Sequence, residues 1–411
     1  MPRKPTKPRG TIAGIASDLR GVSQLVVAAV SGVTDVVEGM HRNIAGVSPI
    51  LGTVPAGRAG GISGLVYGTI RGVTRAVGLG LDLALSLARP LPGDSGSSPR
   101  REALLAAING IFGDYLVASG NPLAIAMNLR QEGQALRLER PAMAADITDP
   151  HSKLLVLAHG LCMNDLQWER EGQDHGAALA RELGYTSLYL HYNSGCHISD
   201  NGRQFAGIME SLLREWPVPV SELVIVGHSM GGLVARSACH YAKLANHAWP
   251  RQLKKLVFLG TPHHGAPLER VGNQVDLLAG ISPYTEPLSR LGKIRSAGIK
   301  DLRHGGILDE DWQGGDGQPA RGAVTPVPLP EGVECYAIAA TRQARPGGSR
   351  GRLPGDGLVP VDSALGRHED ATLVLPIPEA HQLVCYGLNH FDLLGSREVC
   401  DQIRRWLATN Q

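Results

Sequence analysis

At 411 residues the chain is longer than one average domain, and it can bury a substantial core. Apolar residues make up 43% and charged residues 19%, a composition that fits a folded protein and excludes a wholly disordered chain. The formal net charge is only +2, so no nucleic-acid partner is expected, although the extreme N-terminus is locally basic.

The first 90 residues are predicted to form a helical appendage. Apolar residues recur every three or four positions over residues 12–40 and again over residues 62–87, as on one face of a helix. The segments GVSQLV and GISGLV lie 40 residues apart, which indicates a duplicated helix. Residues 1–90 are therefore predicted to form a hairpin of amphipathic helices, and residues 91–101 (LPGDSGSSPRR) a linker.

Two roles remain open for this helical repeat. It is either a self-packing hairpin on the rest of the chain or an oligomer contact, or it is a peripheral membrane anchor. The second reading rests on the basic start and on Gly64, Gly68 and Gly72, whose spacing lets helices approach closely. No secretory signal and no ordinary spanning helix is recognisable, so the expected compartment is the cytoplasm, with membrane association through residues 1–90 as the variant. The oligomeric state is left open.

A second, larger domain is predicted over residues 102–411. It starts with a helix over residues 102–116 and an antiparallel hairpin of residues 126–130 and 135–139. Short apolar runs then alternate with helices, a pattern that predicts an α/β fold with a mostly parallel sheet flanked by helices. Six runs are predicted as strands: Lys153–Ala158, Ser187–Tyr192, Glu222–Val226, Lys255–Leu259, Val333–Ala339 and Ala371–Leu375.

The strongest signal for chemistry lies at Ser229. An apolar run (LVIV) predicts a strand leading into Gly227-His228-Ser229-Met230-Gly231, and a helix follows directly. The flanking glycines permit the sharp strand-to-helix turn that exposes a nucleophilic hydroxyl. The helix N-terminus favours negative charge that develops beside it. The alternative is an ordinary loop serine, but the strand before and the helix after favour a nucleophile.

A serine hydroxyl needs a base to remove its proton. Among the fifteen histidines, His390 is predicted to be that base because it lies in a loop near the C-terminus, just before a final predicted helix. Asp356, which lies between two glycines, is predicted to orient the imidazole and to stabilise its protonated form. Asp362 and Asp392 compete for this role, and Asp356 itself has the alternative of a simple turn former.

Two backbone amides are predicted to form an oxyanion hole. One is the N–H of Met230, directly after the nucleophile, and the other is the N–H of Leu161, in the loop after the strand that ends at Ala158. His159, Gly160 and His228 are predicted to support the substrate or these loops. His159 is interpreted as a structural support and not as a second base.

The cysteines and the remaining histidines carry weaker hypotheses. Six cysteines show no CxxC pair and no regular spacing, so most are expected to be buried thiols. Cys162 and Cys196 are the one pair considered for a disulfide, because each follows a predicted parallel strand. His263 and His264 invite a metal site, yet no further ligands occur at suitable spacing, so no metal is predicted.

Six short motifs together resemble bacterial lipases and esterases of the α/β-hydrolase superfamily, including triacylglycerol-lipase-like and PGAP-type serine hydrolases. The resemblance spans roughly residues 120–411 and is specific as a set, though not in any one motif. The motifs are His159-Gly160, Tyr192-Asn193-Ser194-Gly195, Gly227-His228-Ser229-Met230-Gly231-Gly232, Gly260-Thr261-Pro262-His263-His264-Gly265, Asp356-Gly357-Leu358-Val359 and Asn389-His390-Phe391.

This resemblance implies an α/β-hydrolase fold, and ester hydrolysis through an acyl-enzyme without a metal or organic cofactor. The predicted N-terminal helical repeat falls outside the resemblance, which implies nothing about that appendage. Related lipases often insert a cap, here expected over residues 266–321, with ordinary packing of this segment over the sheet as the equally open alternative. Some related lipases also bind a structural calcium, for which Asp362 is a weak candidate ligand. The predicted function is a serine carboxylic-ester hydrolase acting on lipid-like or acyl esters. The alternatives are an acyltransferase or amidase with the same triad, or a non-catalytic membrane-associated scaffold.

Overall fold

The computed structural model describes residue 21 and residues 99–266, 296–313, 324–344 and 354–408. The predicted helical repeat, apart from Gly21, lies outside the described residues, as does most of the predicted cap.

An eight-stranded sheet forms the centre of the described structure, in the spatial order β2-β1-β6-β3-β7-β8-β9-β10. Strand β1 pairs antiparallel with β2 and β6, and every other neighbouring pair is parallel. The strands are β1 (Asn128–Gln131), β2 (Gln134–Ala135), β3 (Lys153–Ala158), β6 (Thr186–His191), β7 (Glu222–His228), β8 (Leu253–Leu259), β9 (Glu334–Thr341) and β10 (Gln382–Tyr386), while β4 (Glu169–Arg170) and β5 (Gln173–Asp174) form a separate hairpin.

Helices fill the crossovers between the parallel strands, as this connectivity requires. Helix α4 packs against α5, and α3 packs against α8. The helices are α1 (Pro99–Ala118), α2 (Arg140–Asp146), α3 (His175–Leu183), α4 (Ile198–Glu215), α5 (Met230–Leu244), α6 (Ala297–His304), α7 (Val361–Ala364) and α8 (Arg397–Ala408).

The central strands have almost no polar residues because helices cover the sheet. The side chains from Leu154 to Ala158 in β3 and from Leu223 to Val226 in β7 are completely buried. Along the chain β3 is followed by β6 on one side of it and then by β7 on the other, and ligands of parallel sheets bind at such a switch point, beyond the carboxyl ends of the strands. The strand order and the helical crossovers are those of the α/β-hydrolase fold, as predicted.

The sequence located most of these elements. The hairpin and five of the six predicted strands are confirmed, with bounds that differ by up to two residues except in the shorter second arm of the hairpin. The prediction of a strand at Ala371–Leu375 is wrong: the segment forms turns, in which Asp370 accepts hydrogen bonds from the backbone and side chain of Thr372. The last strand is β10 instead. Helix α1 begins at Pro99, inside the predicted linker.

Candidate active site

Ser229 lies at the turn between β7 and α5 and has a backbone φ of +54°. A non-glycine residue in this region is strained, which costs about 1–3 kcal/mol. The neighbouring glycines make the turn sterically feasible. A Cβ at Gly227 would lie 2.5 Å from the Cα of Gly232, and a Cβ at Gly231 would collide with the carbonyl oxygen of Ala158. The turn is therefore possible only because Gly227 and Gly231 have no side chains, which lets neighbouring backbone segments come into direct contact.

His390 and Asp356 form a buried hydrogen-bonded pair. The imidazole Nδ1 lies 2.7 Å from Oδ2 of the carboxylate, and both side chains are almost completely buried. The other carboxylate oxygen accepts the backbone N–H groups of Leu358 and Val359, each at 2.8 Å. Both oxygens of Asp356 are thus occupied, so the carboxylate holds a fixed position against the ring.

Ser229 and His390 line the same pocket. No hydrogen bond joins their side chains in this structure, although both residues belong to its described part. Catalytic hydrogen bonds are often long in a site without substrate and tighten when substrate binds. The structure therefore brings together all three side chains selected from the sequence, two of them in direct contact.

The two predicted oxyanion amides lie on adjacent segments. A Cβ at Gly160 would lie 3.1 Å from the Cβ of Ser229, so the loop after β3 runs very close to the turn, and the missing side chain allows it. Within the described residues, neither the N–H of Leu161 nor that of Met230 has a hydrogen-bond partner. Two unpaired amides beside the serine are what a developing oxyanion requires.

Two buried histidines hold the loop that carries His390. His228 donates from Nε2 to the carbonyl oxygen of His390 at 3.3 Å, and His175 donates from Nε2 to that of Leu393 at 2.8 Å. Burial lowers the pKa of both rings, so both are neutral donors. His228 was selected from the sequence as a support. His175 was not, and no sequence signal links it to a loop 218 residues away.

His159 supports the end of β3. Its ring stacks on Tyr192 with a centroid separation of 4.3 Å, and Tyr192 donates its hydroxyl to the His159 carbonyl oxygen at 2.8 Å. The Nδ1 atom donates to the carbonyl oxygen of Gly160 at 2.9 Å. Complete burial lowers the pKa of His159 to about 3, so the ring is neutral at physiological pH. Because His159 does not line the pocket and is so weak a base, it suits a supporting role.

Cys162 and Cys196 are both free thiols, so the disulfide considered from the sequence is not formed. Burial raises the pKa of each thiol to about 12, which keeps both protonated.

His263, the first of the paired histidines in the GTPHHG motif, makes packing contacts. The His263 ring packs edge-on against Phe258, and its Nδ1 lies 3.4 Å from Nη1 of Arg236. Across the described ranges, no group of three or more histidine, cysteine or acidic side chains is arranged to hold a metal ion.

One protein-family model matches part of this sequence. Residues 204–318, just over a quarter of the chain and including the Ser229 turn, match the family model described as PGAP1-like alpha/beta domain. None of the curated proteins matches this sequence.

Three solved structures illustrate the likeness. The mature Bacillus licheniformis lipase BlEst2 is 18% identical with a TM-score of 0.41, covering 69% of this chain and 98% of its own. The Legionella pneumophila phospholipase PlaB is 14% identical with a TM-score of 0.42, covering 63% and 60%. The Pyrobaculum calidifontis esterase is 12% identical with a TM-score of 0.38, covering 62% and 76%.

The depressed pKa of His159 predicts acid-sensitive stability. An unfolded histidine takes up a proton near pH 6.5, whereas the folded ring does so only near pH 3, so the unfolded state binds more protons between these values. The free energy of unfolding should therefore fall by up to about 1.4 kcal/mol per pH unit from this ring as the pH drops from 6.5 towards 3. His159→Asn should lose this dependence, measured as urea unfolding at pH 7, 6, 5 and 4.

His151→Asn, the same change at a ring that is 42% exposed, gives the effect of the substitution outside the buried site. Stability curves for wild type and His159→Asn that stay parallel between pH 7 and 4 would contradict the prediction.

Proposed function

We propose that this α/β-hydrolase is a serine carboxylic-ester hydrolase, a lipase or esterase, with Ser229 as nucleophile, His390 as general base and Asp356 as the residue that orients it. The observation that carries the proposal is the buried contact between His390 and Asp356, with His390 lining the same pocket as a strained serine. Two backbone amides that have no hydrogen-bond partner among the described residues lie beside that serine. No cofactor is needed for this chemistry.

The reaction proceeds in two halves. Nε2 of His390 takes the proton of the Ser229 hydroxyl while Oγ attacks the ester carbonyl, and the N–H groups of Leu161 and Met230 hold the resulting oxyanion. His390 then protonates the leaving alcohol as the carbon–oxygen bond breaks, which leaves an acyl-enzyme. Water, activated by the same imidazole, releases the acid. Asp356 stays ionised throughout and stabilises the imidazolium.

Acyl esters are the substrate class that the pocket favours. Apart from Ser229 and the histidines, its described lining is apolar and contains no charged side chain, which suits a hydrocarbon chain and disfavours a charged one. The apolar residues include Leu161, Met163, Pro262, Ala266, Leu302 and Leu358.

Acyl transfer and amide cleavage remain the alternatives within the same chemistry. The acyl-enzyme is common to all three reactions, and only the leaving group and the acceptor differ. Hydrolysis is the proposal that needs no second binding site for an acceptor. A non-catalytic scaffold is disfavoured because it would have no reason to retain a strained serine beside a buried His–Asp pair.

Substitutions in the triad test the assignment. Ser229→Ala should lower kcat for a p-nitrophenyl ester by about 10⁶-fold. Asp356→Asn should lower it by about 10⁴-fold, because the amide no longer favours the productive tautomer of His390. Asp362→Asn, the same change at the competing carboxylate, should retain most of the activity. If Asp362→Asn caused the larger loss, the acid would be assigned wrongly.

The apolar pocket predicts how rate depends on the acyl chain. Across p-nitrophenyl esters from acetate to palmitate, kcat/KM should rise by up to about fourfold for each buried methylene until the pocket is filled. The hemisuccinate ester, which has the chain length of the butyrate ester but ends in a carboxylate, should be a much poorer substrate than butyrate. A preference for acetate, or equal rates for the matched pair, would contradict the pocket assignment.

Peripheral lipid contact through residues 1–90 is the second part of the proposal, and its support is the amphipathic repeat in the sequence. Within the described residues, no helix is both long and apolar enough to cross a membrane. In the ester series, deletion of residues 1–95 should abolish any stimulation by anionic vesicles and should preserve hydrolysis of soluble esters. Unchanged stimulation would favour the self-packing or oligomer role of the repeat.

A further inference from the structure

Helix α1 precedes the strands of the sheet, yet it lies directly against the proposed oxyanion loop. Gly110 faces Cys162, the residue that follows Leu161: a Cβ at Gly110 would collide with the Cys162 sulfur and would lie 2.9 Å from its Cα. One turn further along, a Cβ at Gly113 would collide with the side-chain oxygen of Asn193. The helix backbone therefore touches the loops that follow β3 and β6.

Cys162 has an unusual backbone conformation, and a hydrogen bond to Ser194, in another loop, stabilises it. Its φ is +58°, a left-handed value that costs energy for a residue with a side chain. Its N–H group donates to the hydroxyl oxygen of Ser194 at 2.9 Å, and both residues are completely or almost completely buried. Ser194 therefore fixes the peptide group that directly follows Leu161.

The same face of α1 holds the start of α6, which contributes Leu302 to the pocket. Ser296 donates its hydroxyl to the carbonyl oxygen of Gly110 at 2.6 Å, and the backbone N–H of Ala297 donates to Asp114 at 2.9 Å. Helix α1 therefore contacts both the loop that carries Leu161 and the start of α6, two segments that contribute residues to the pocket.

A largely buried charge network also connects α1 to the segment that follows Cys162. Nη1 of Arg130 lies 3.2 Å from Oε2 of Glu102, on α1, and 3.1 Å from Oδ1 of Asp165, three residues beyond Cys162. Removing one partner of such a network leaves an uncompensated buried charge, so the helix and the loop are held at a set separation.

We propose that Ser194 is a positioning residue for the oxyanion hole and that α1, through Gly110, is the support against which Ser194 holds the loop. This inference rests on the proposed function, because it assumes that the Leu161 N–H group binds the oxyanion. Ser194 acts through the Cys162 amide and does not touch the substrate. Its effect is therefore confined to the charge that develops in the transition state.

Removing the Ser194 hydroxyl should lower kcat and leave KM nearly unchanged. In Ser194→Ala the buried Cys162 N–H loses its acceptor, and the loop relaxes away from its left-handed conformation. Acyl-chain binding depends on the apolar lining and should persist. We expect kcat to fall by about 10–100-fold, less than the 10²–10³-fold that follows loss of an oxyanion donor itself. The control is Ser221→Ala, which removes an exposed hydroxyl that bonds Ser152.

Gly110→Ala tests the support from the opposite side. It leaves the Ser194 hydroxyl in place but forces a methyl group against the backbone and sulfur of Cys162, so kcat should again fall with KM nearly constant. Gly207→Ala is the matched control, since it is also a glycine to alanine change within a helix and its Cβ would meet no atom within 4 Å.

Inhibition by an alkyl boronic acid separates positioning from general damage, because its tetrahedral adduct with Ser229 carries the oxyanion charge. The inhibition constant should rise in Ser194→Ala and Gly110→Ala by the same factor by which kcat/KM falls. Each variant also loses a buried hydrogen bond or overpacks a buried contact, so the thermal midpoints should fall by several degrees while both proteins stay folded. Loss of kcat without weaker boronate inhibition would overturn the inference, as would a kcat within twofold of wild type in a folded variant. Should Ser194→Ala fail to fold, Gly110→Ala decides alone by these criteria.

Failure of the positioning inference can be distinguished from failure of the proposed function. If wild type hydrolyses esters, Ser229→Ala does not, and Ser194→Ala behaves like Ser221→Ala, then only the positioning inference is lost. If wild type neither hydrolyses esters nor binds the boronic acid, the proposed function is lost and the inference with it.

Discussion

Close backbone contact at the Ser229 turn is the constraint on which the rest of the site depends. The strained serine can lie above the sheet only because Gly227, Gly231 and Gly232 let α5 approach β7 and the end of β3 without intervening side chains. That approach sets the position of the Met230 amide, and the missing side chain of Gly160 brings the second loop to the same point. The geometry of the nucleophile and of the proposed oxyanion hole therefore has one steric origin.

Burial gives the surrounding residues their chemical properties. Desolvation keeps His159, His175 and His228 neutral, so they act as hydrogen-bond donors and packing groups and do not compete with His390 as bases. The same low dielectric strengthens the contact between His390 and Asp356, whose carboxylate is further held by two backbone amides. The proposed site thus contains several histidines, but only one has a carboxylate partner and a place in the pocket beside the serine.

Local patterns in the sequence located most of the strands, and they selected three side chains that the structure places close together. Apolar runs located β3, β7 and β8, and glycine spacing located the turn at Ser229. The turn at Ala371–Leu375 was mistaken for a strand because its run of apolar residues resembles one, although only Leu375 is buried, whereas the real edge strand β10 is defined by its pairing with β9. Contacts between distant segments, such as His175 with Leu393 or Ser194 with Cys162, have no local pattern and could not be predicted from one sequence.

The central claim is that the Ser229 hydroxyl is the nucleophile and that His390 activates it. The most direct measurement is mass-spectrometric mapping of the adduct formed by an alkyl fluorophosphonate, with the labelling rate compared between wild type and His390→Ala. The account predicts a single adduct on Ser229 that forms at least about a hundredfold more slowly in the folded His390→Ala variant. An adduct on another residue, or equal labelling rates in the two proteins, would contradict it.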